Sequence, residues 1–434
     1  MSATASQRRW NITLPMVVTL LVRLAVGGVF IFSGFVKAVD PWGTYYKVSE
    51  YMLAMGLTEM VSLSLFTAMA LPVLEMMLGV LTAVGAYRRS VPWLMLVFML
   101  VMTPITLWLA VTNAVPDCGC FGDVLHLSNW ATFGKNLLLL AGVIYLILFN
   151  RRLPSIYGPA VQWVAAALVF AYVMMLVVPS YFVQPLIDFR PYEVGTRLTS
   201  AAASTASVDE DDYVFIYERN GEQREFTIDN APDEGEGWTF VDRRMIKKPA
   251  AQSRPVPAHS IAIRDNGLDV SDAVLDPSGD QLLFLFPDLP EVSVPHTFLL
   301  NNLNDFATER GAAIYGLTSA SEQQMLDWED IAMSSYPLYT ADDTEIKMLA
   351  RGNPAVVYVQ KGIIRWKRTL TSIDASKLRN PEQTLTTLND DNDDPDGDLM
   401  SAFYFLMAGL ALLLVVNRTH LLVLSAWRRW RKAK

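Results

Sequence analysis

The sequence predicts a multi-pass α-helical membrane bundle that carries one α/β domain outside the membrane. Three observations lead there. The chain is 52% hydrophobic and only 18% charged, against roughly 45–50% and about 25% in soluble proteins. The apolar excess is confined to residues 1–179 and 399–416, while 180–398 has the composition of a soluble domain with a strong acidic excess. Pairs of arginines flank the apolar runs in a pattern that fixes one orientation.

A helix needs about 20 apolar residues to cross a hydrocarbon core of ~30 Å. Five runs near the start qualify, at 14–36, 60–86, 92–113, 132–149 and 159–179, and a sixth at 399–416 lies at the short end of that range. Arg8 and Arg9 precede the first span, Arg88 and Arg89 follow the second, and Arg151 and Arg152 follow the fourth. Arg418, Arg428, Arg429, Arg431, Lys432 and Lys434 follow the sixth. With alternating spans all these clusters fall on one side, which the positive-inside rule makes the cytoplasm. The expected location is therefore a bacterial inner (cytoplasmic) membrane, with both termini cytoplasmic and 180–398 periplasmic. The first span has no small-residue cleavage site and reads as retained. The basic, Trp-containing end "LLVLSAWRRWRKAK" suits the inner leaflet.

Two ionisable residues lie deep in the spans. Arg23 is about 12 Å, and Glu75 about 16 Å, from the cytoplasmic ends of the first and second spans. Their matched depth predicts an ion pair, since a charge in the membrane needs a partner. The structural reading is a staple between helices; the functional one is the polar floor of a cofactor site, with a quinone as the candidate. Met69, Met76, Met77, Met95, Met99 and Met102 read as gap-filling core. Asp40-Pro41 ends the first span and opens a short amphipathic helix over about 43–55, with Trp42, Tyr45, Tyr46 and Tyr51 at the outer interface.

Between the third and fourth spans stands "PDCGCFGD", holding Cys118 and Cys120, the chain's two cysteines. On the outer face thiols meet an oxidising compartment. A bridge across one residue closes almost no loop, so entropic stabilisation does not explain the pair. Three readings stay open: an exchange-active pair, an inert pair, and part of a metal site. The metal reading is poor in ligands, with only His126, Asp117 and Asp123 nearby. Lys37, Asp40 and Lys135 are the charges placed to tune the thiols.

The segments "VRLAVGGVFIFSGFVKAVDPWG", "LEMMLGVLTAVGAYRRS", "CGCFGD" and "NWATFGKNLLLL", in that order, resemble the MauE/DoxX group of helical-bundle membrane proteins over about 14–150. The resemblance implies a four-helix core similar to vitamin K epoxide reductase and a link to thiol–disulfide handling of exported proteins. MauE itself implies methylamine utilisation. Arg23, Lys37, Asp40, Glu75, Cys118 and Cys120 fall on matching positions, as do Phe121, Gly122, Trp130 and Asn136. No second cysteine pair accompanies the first, so a relay requires an external partner or a quinone.

The expected organisation is a bundle over 1–155, a fifth span over 156–180, a linker and β-hairpin region over 181–257, an α/β domain over 258–385, an acidic tether over 386–398 and a final span with basic tail over 399–434. In 181–257, "YVFIYERNGEQREFTI" is a hairpin signal around Asn220-Gly221. From 258, "SIAIRD", "QLLFLFP", the helix "HTFLLNNLNDFATERG", "AAIYGLTS", helices near 320–333 and 342–350, "PLYTAD" and a closing hairpin through Lys361-Gly362 alternate strands with helices. That order resembles the thioredoxin-like fold, with Pro354 before the penultimate strand. The family's reactive place reads "PDLPEVSVPH" and has no cysteine; Ser293 and His296 there read as loop and cap residues. "NDDNDDPDGD" has the opening spacing of an EF-hand but Phe403 at its twelfth position, and reads as a tether.

Two functions from different classes follow. One is thiol–disulfide exchange through catalytic Cys118 and Cys120 with thiols of an exported protein or a redox partner protein, with Arg23 and Glu75 as candidate cofactor-binding residues. The other is a non-catalytic scaffold whose redoxin-like domain docks a partner. The acidic soluble domain excludes nucleic acid.

Overall fold

A computed structural model describes residues 14–115, 118–199, 213–219, 222–226, 238–245, 258–389 and 395–433. The chain divides into two compact units, residues 1–189 with 392–434, and residues 190–391.

In the first unit, six helices among the described residues are long and apolar enough to cross a membrane. They are α1 (Leu14–Val39), α3 (Ser64–Val84), α4 (Val91–Thr112), α5 (Asn129–Phe149), α6 (Gln162–Phe182) and α11 (Pro395–Ala433). The short α2 (Pro41–Ala54) follows α1. Asp40 caps it, accepting from the Gly43 amide at 2.9 Å, with Pro41 in the first turn. This meets the preference of a helix start for a carboxylate and for a proline that lacks an N–H to satisfy. Trp42 stacks on Tyr181 at 5.1 Å and donates to its carbonyl, which ties α2 to the end of α6.

The closest packing is between α1 and α3. Built Cβ atoms would meet backbone at 3.0 Å on Gly27, at 2.6 Å on Gly34 and at 2.7 Å on Gly79. Without side chains at those positions the two helices approach backbone to backbone, the small-residue packing of membrane interfaces. The contacts set the antiparallel register: Arg23 lies against Gly85, Gly27 against Gly79 and Ala83, Gly34 against Pro72 and Met76. Met76, Met95 and Met99 are buried in the cores beside this pair, as gap-filling requires. Leu21, Leu94, Val97, Leu138 and Leu148 project outward, which suits lipid rather than water.

The sixth span is longer than its apolar run. α11 continues through Asn417 and Arg418 to Ala433 without a break. The hydropathy dip at Asn417 is a packing contact: its side-chain oxygen accepts from the Gly158 amide at 3.3 Å. No proline or glycine follows Gly409, so nothing stops the helix.

The second unit holds a nine-stranded sheet in the order β5-β1-β12-β11-β8-β9-β10-β6-β7. Its strands are β1 (Arg197–Thr199), β5 (Ala258–Ser260), β6 (Ile263–Asp265), β7 (Leu268–Asp269), β8 (Asp280–Phe286), β9 (Ala313–Thr318), β10 (Leu338–Ala341), β11 (Ala355–Gln360) and β12 (Ile363–Thr369). β8, β9 and β10 run parallel, with β9 between the other two; β11 pairs antiparallel with β8, and β12 antiparallel with β11. The helices are α7 (Ser271–Val274), α8 (His296–Thr308), α9 (Glu322–Ala332) and α10 (Asp343–Leu349). Leu282, Phe284 and Phe286 of β8 pack with Leu300, Leu303 and Trp328 of α8 and α9. Leu283 and Leu285 pack with Ile346 and Leu349 of α10 on the other face. A strand covered on both faces has no polar side, which is why "QLLFLF" does not alternate. The Asn353–Pro354 peptide bond is cis.

A separate three-stranded sheet joins β2 (Tyr213–Arg219), β3 (Glu222–Phe226) and β4 (Thr239–Met245). β2 and β3 pair as the expected hairpin, ending at Arg219 opposite Glu222; Asn220 and Gly221 lie outside the described residues, as do 200–212 and 390–394. β1 falls within the expected linker yet belongs to the large sheet, since it pairs with both β12 and β5. Its three residues are too short for a periodic signal.

The glycine contacts give a direct check. Gly34→Ala places a methyl group into the α3 backbone, where overpacking costs about 1–3 kcal/mol, so thermal unfolding of the purified protein in detergent shifts downward. Gly28→Ala, with nothing within 4 Å of its built Cβ, leaves the midpoint unchanged.

Candidate functional site

The site forms where the loop after α4 meets the C-terminal part of α1, with α2 and α3 alongside. Lys37 donates to Glu75 at 2.9 Å, to the Ser33 hydroxyl at 2.7 Å and to the carbonyl of Cys120 at 2.8 Å. Ser33 donates to the same carbonyl at 2.9 Å. Lys37 and Glu75 are 5% and 6% exposed, so the ion pair is buried. The direction of Lys37 follows from helix geometry: side chains lean toward the N-terminus, which brings its ammonium back over Ser33, one turn earlier.

This corrects the expected partnership of Arg23 with Glu75. In the observed register Arg23 lies against Gly85, ten residues from Glu75 along α3, or about 15 Å along the axis. Arg23 instead donates to the side-chain oxygen of Asn150, from Nε at 3.0 Å and Nη2 at 2.7 Å. It ties the α3–α4 turn to the end of α5. Depth counted from span ends misled because α1 and α3 are offset.

The cysteine loop is held at both residues. Tyr51 of α2 donates to the Cys118 carbonyl. Gly119 has φ +60°, and a Cβ there would meet Lys47 of α2 at 2.9 Å, so the position requires glycine for both backbone angle and space. The two thiols are free, with their Sγ atoms 2.6 Å apart, against about 2.05 Å for a disulfide bond. Hydrogen bonding from Cys118 pulls the Cys120 thiol pKa down, and the charges of Lys135 and Lys37 add to this against burial and Glu75. The same contact pushes Cys118 up, with burial reinforcing the shift.

Beneath the loop is a cavity of about 40 Å³ bordered by Cys120, Glu75, Lys135, Asn136, Phe98 and Met102, among others. That volume holds one or two waters. It is far below the roughly 300–1,000 Å³ of cofactor pockets, so the residues present do not fit a quinone ring, and Arg23 does not border the cavity. Lys135 also lies over the Phe121 ring at 4.3 Å, and Asn136 donates to Thr106 at 3.1 Å.

Of the residues singled out from sequence, Lys37, Glu75, Cys118, Cys120, Phe121, Lys135 and Asn136 come together. Asp40 serves as the α2 cap, and Trp130 is 61% exposed, paired with Phe133. Ser33 and Tyr51 carry no sequence signal as site residues, because neutral hydroxyls bonding to backbone carbonyls leave no pattern. In the second unit, Ser293 and His296 stand in the turn that opens α8, where the Ser293 carbonyl accepts from the His296 amide at 2.9 Å.

Comparison with known families places these helices in context. Residues 15–149 match the family described as methylamine utilisation protein MauE. Residues 212–248, which contain the three-stranded sheet, match a domain of unknown function (DUF8463). No curated protein matches the chain.

Two outcomes are expected. Lys37→Met strands the buried Glu75 carboxylate at a cost of about 3–5 kcal/mol, read as a large fall in thermal stability; Lys37→Met/Glu75→Leu, which removes both charges, recovers most of it. In the Cys118→Ser protein, Cys120 alkylation by a small maleimide persists below the pH of about 8.5 at which a free thiol ionises. Lys135→Met moves the onset upward, because the cation that favours the thiolate is gone.

Proposed function

We propose that this membrane protein exchanges disulfides with thiols of an exported or redox partner protein through Cys118 and Cys120. The observation that carries the reading is the placement of two adjacent sulfurs in a loop clamped by Lys37, Ser33 and Tyr51. The clamp acts on the carbonyls of both cysteines and leaves their sulfurs facing each other. A thiol whose pKa is lowered by cations is the reactive kind.

The arginine clusters at 8–9, 88–89 and 151–152 support an inner membrane with cytoplasmic termini and the second unit outside. A role connected with methylamine utilisation is drawn from the family matched over 15–149. The strand order β12-β11-β8-β9-β10, with α8 following the central β8, supports a thioredoxin-like domain. Its segment between β8 and α8 contains no cysteine. That feature favours the second reading, a scaffold in which this domain holds a partner.

The test traps thiols with a maleimide-polyethylene glycol reagent in intact cells. Exchange requires the pair to be labelled after reductant and protected after a mild oxidant. Labelling that ignores both treatments removes the reading. Replacing both cysteines by serine separates it from the scaffold, which keeps full function without them.

A further inference from the structure

The two thiols are not equivalent, and the difference has a direction. Cys120 borders the cavity within the bundle, together with Lys135 and Glu75, whereas Cys118 does not. Its carbonyl is held by Lys37 and Ser33 from α1, while that of Cys118 is held from the α2 side by Tyr51. The charged groups around the sulfurs are Lys135 of α5, Lys37 of α1 and the opposing Glu75 of α3. Glu75 is already paired with Lys37 at 2.9 Å, while Lys135, on the cavity wall and over the Phe121 ring, forms no ion pair among the described residues.

We propose that Cys118 is the sulfur a partner thiolate attacks and Cys120 the sulfur it expels, so that the pair donates a disulfide, with Lys135 as the positioning residue that favours this direction. The proposal rests on the exchange reading above and adds the order of the sulfurs. In the oxidised pair the partner thiolate attacks Cys118 Sγ, the Cys118–Cys120 bond breaks and its electron pair leaves on Cys120. A second partner thiolate then attacks the partner sulfur of the mixed disulfide and expels Cys118. The partner has lost two electrons and two protons. Cys118 takes up one proton and donates a hydrogen bond to the Cys120 thiolate, and the other proton enters solvent. The disulfide itself is the oxidant.

The electrostatics favour this order. A disulfide is neutral and gains little from a nearby ammonium, whereas a thiolate gains much. Cations beside Cys120 therefore stabilise the reduced pair and make the oxidised pair a stronger oxidant, and a stabilised thiolate is the better leaving group. Cys118, as hydrogen-bond donor to Cys120, remains protonated in the product.

The test uses the full-length protein in detergent, equilibrated with reduced and oxidised glutathione and read by maleimide gel shift. Lys135→Met is expected to move the equilibrium roughly tenfold toward the disulfide, and Lys135→Arg to stay near wild type. When the oxidised wild-type protein is treated with reduced glutathione and quenched with acid, mass spectrometry is expected to find the transient mixed disulfide on Cys118, at least tenfold over Cys120. An equilibrium unmoved by Lys135→Met, or a mixed disulfide mainly on Cys120, overturns the proposal while leaving exchange intact. A wild-type protein that forms no disulfide at any glutathione ratio removes exchange itself and the proposal with it.

Discussion

The buried contact of Lys37 with Glu75, Ser33 and the Cys120 carbonyl is the constraint on which the first unit turns. A lone charge in a membrane helix costs at least ~2.5 kcal/mol by insertion scales, so neither residue is tolerable without the other. Pairing neutralises both, but the lysine has donors to spare. Those donors go to Ser33 and to the backbone of the cysteine loop. The ion pair thus does two things at once: it fixes α1 against α3, and it anchors the cysteine loop.

That contact exists only because α1 and α3 come close. Gly27, Gly34 and Gly79 remove the side chains that would hold the backbones apart, and the resulting register puts Ser33 rather than Arg23 opposite Glu75. From there the N-terminal lean of Lys37 completes the cluster. At the other end Arg23 uses the same register to reach Asn150, closing the α3–α4 and α5–α6 turns. Two buried cations, one at each end of one helix pair, therefore have distinct duties. One organises the cysteine loop, and the other closes the far end of the bundle.

How far this could be read from sequence depended on the kind of signal. The spans announce themselves through long apolar runs, and the α/β unit through alternating strand and helix patterns with turn residues such as Lys361-Gly362. Lys37, Glu75 and Lys135 were visible as charges in or near apolar surroundings. Their partners were not, because a pairing depends on helix register, and register is written in small residues whose contacts are nonlocal. Ser33, Tyr51 and Asn150 act through carbonyls and guanidinium groups, which leaves no motif. The extent of α11 was hidden by Asn417-Arg418, where a drop in hydropathy marks a buried hydrogen bond and not a helix end. β1 escaped notice because three residues cannot display a period.

The central claim is that Lys37 holds the cysteine loop in place, and hydrogen exchange measures this most directly. The loop amides of Gly122 and Val124 bond to the Gly119 and Phe121 carbonyls, so their protection reports whether the clamp is closed. In the full-length Lys37→Met/Glu75→Leu protein, peptides covering 118–124 should exchange at least tenfold faster than in wild type, while those within α5 keep their protection. Equal protection of the loop in both proteins would contradict the account, because the loop would then hold its shape without the lysine.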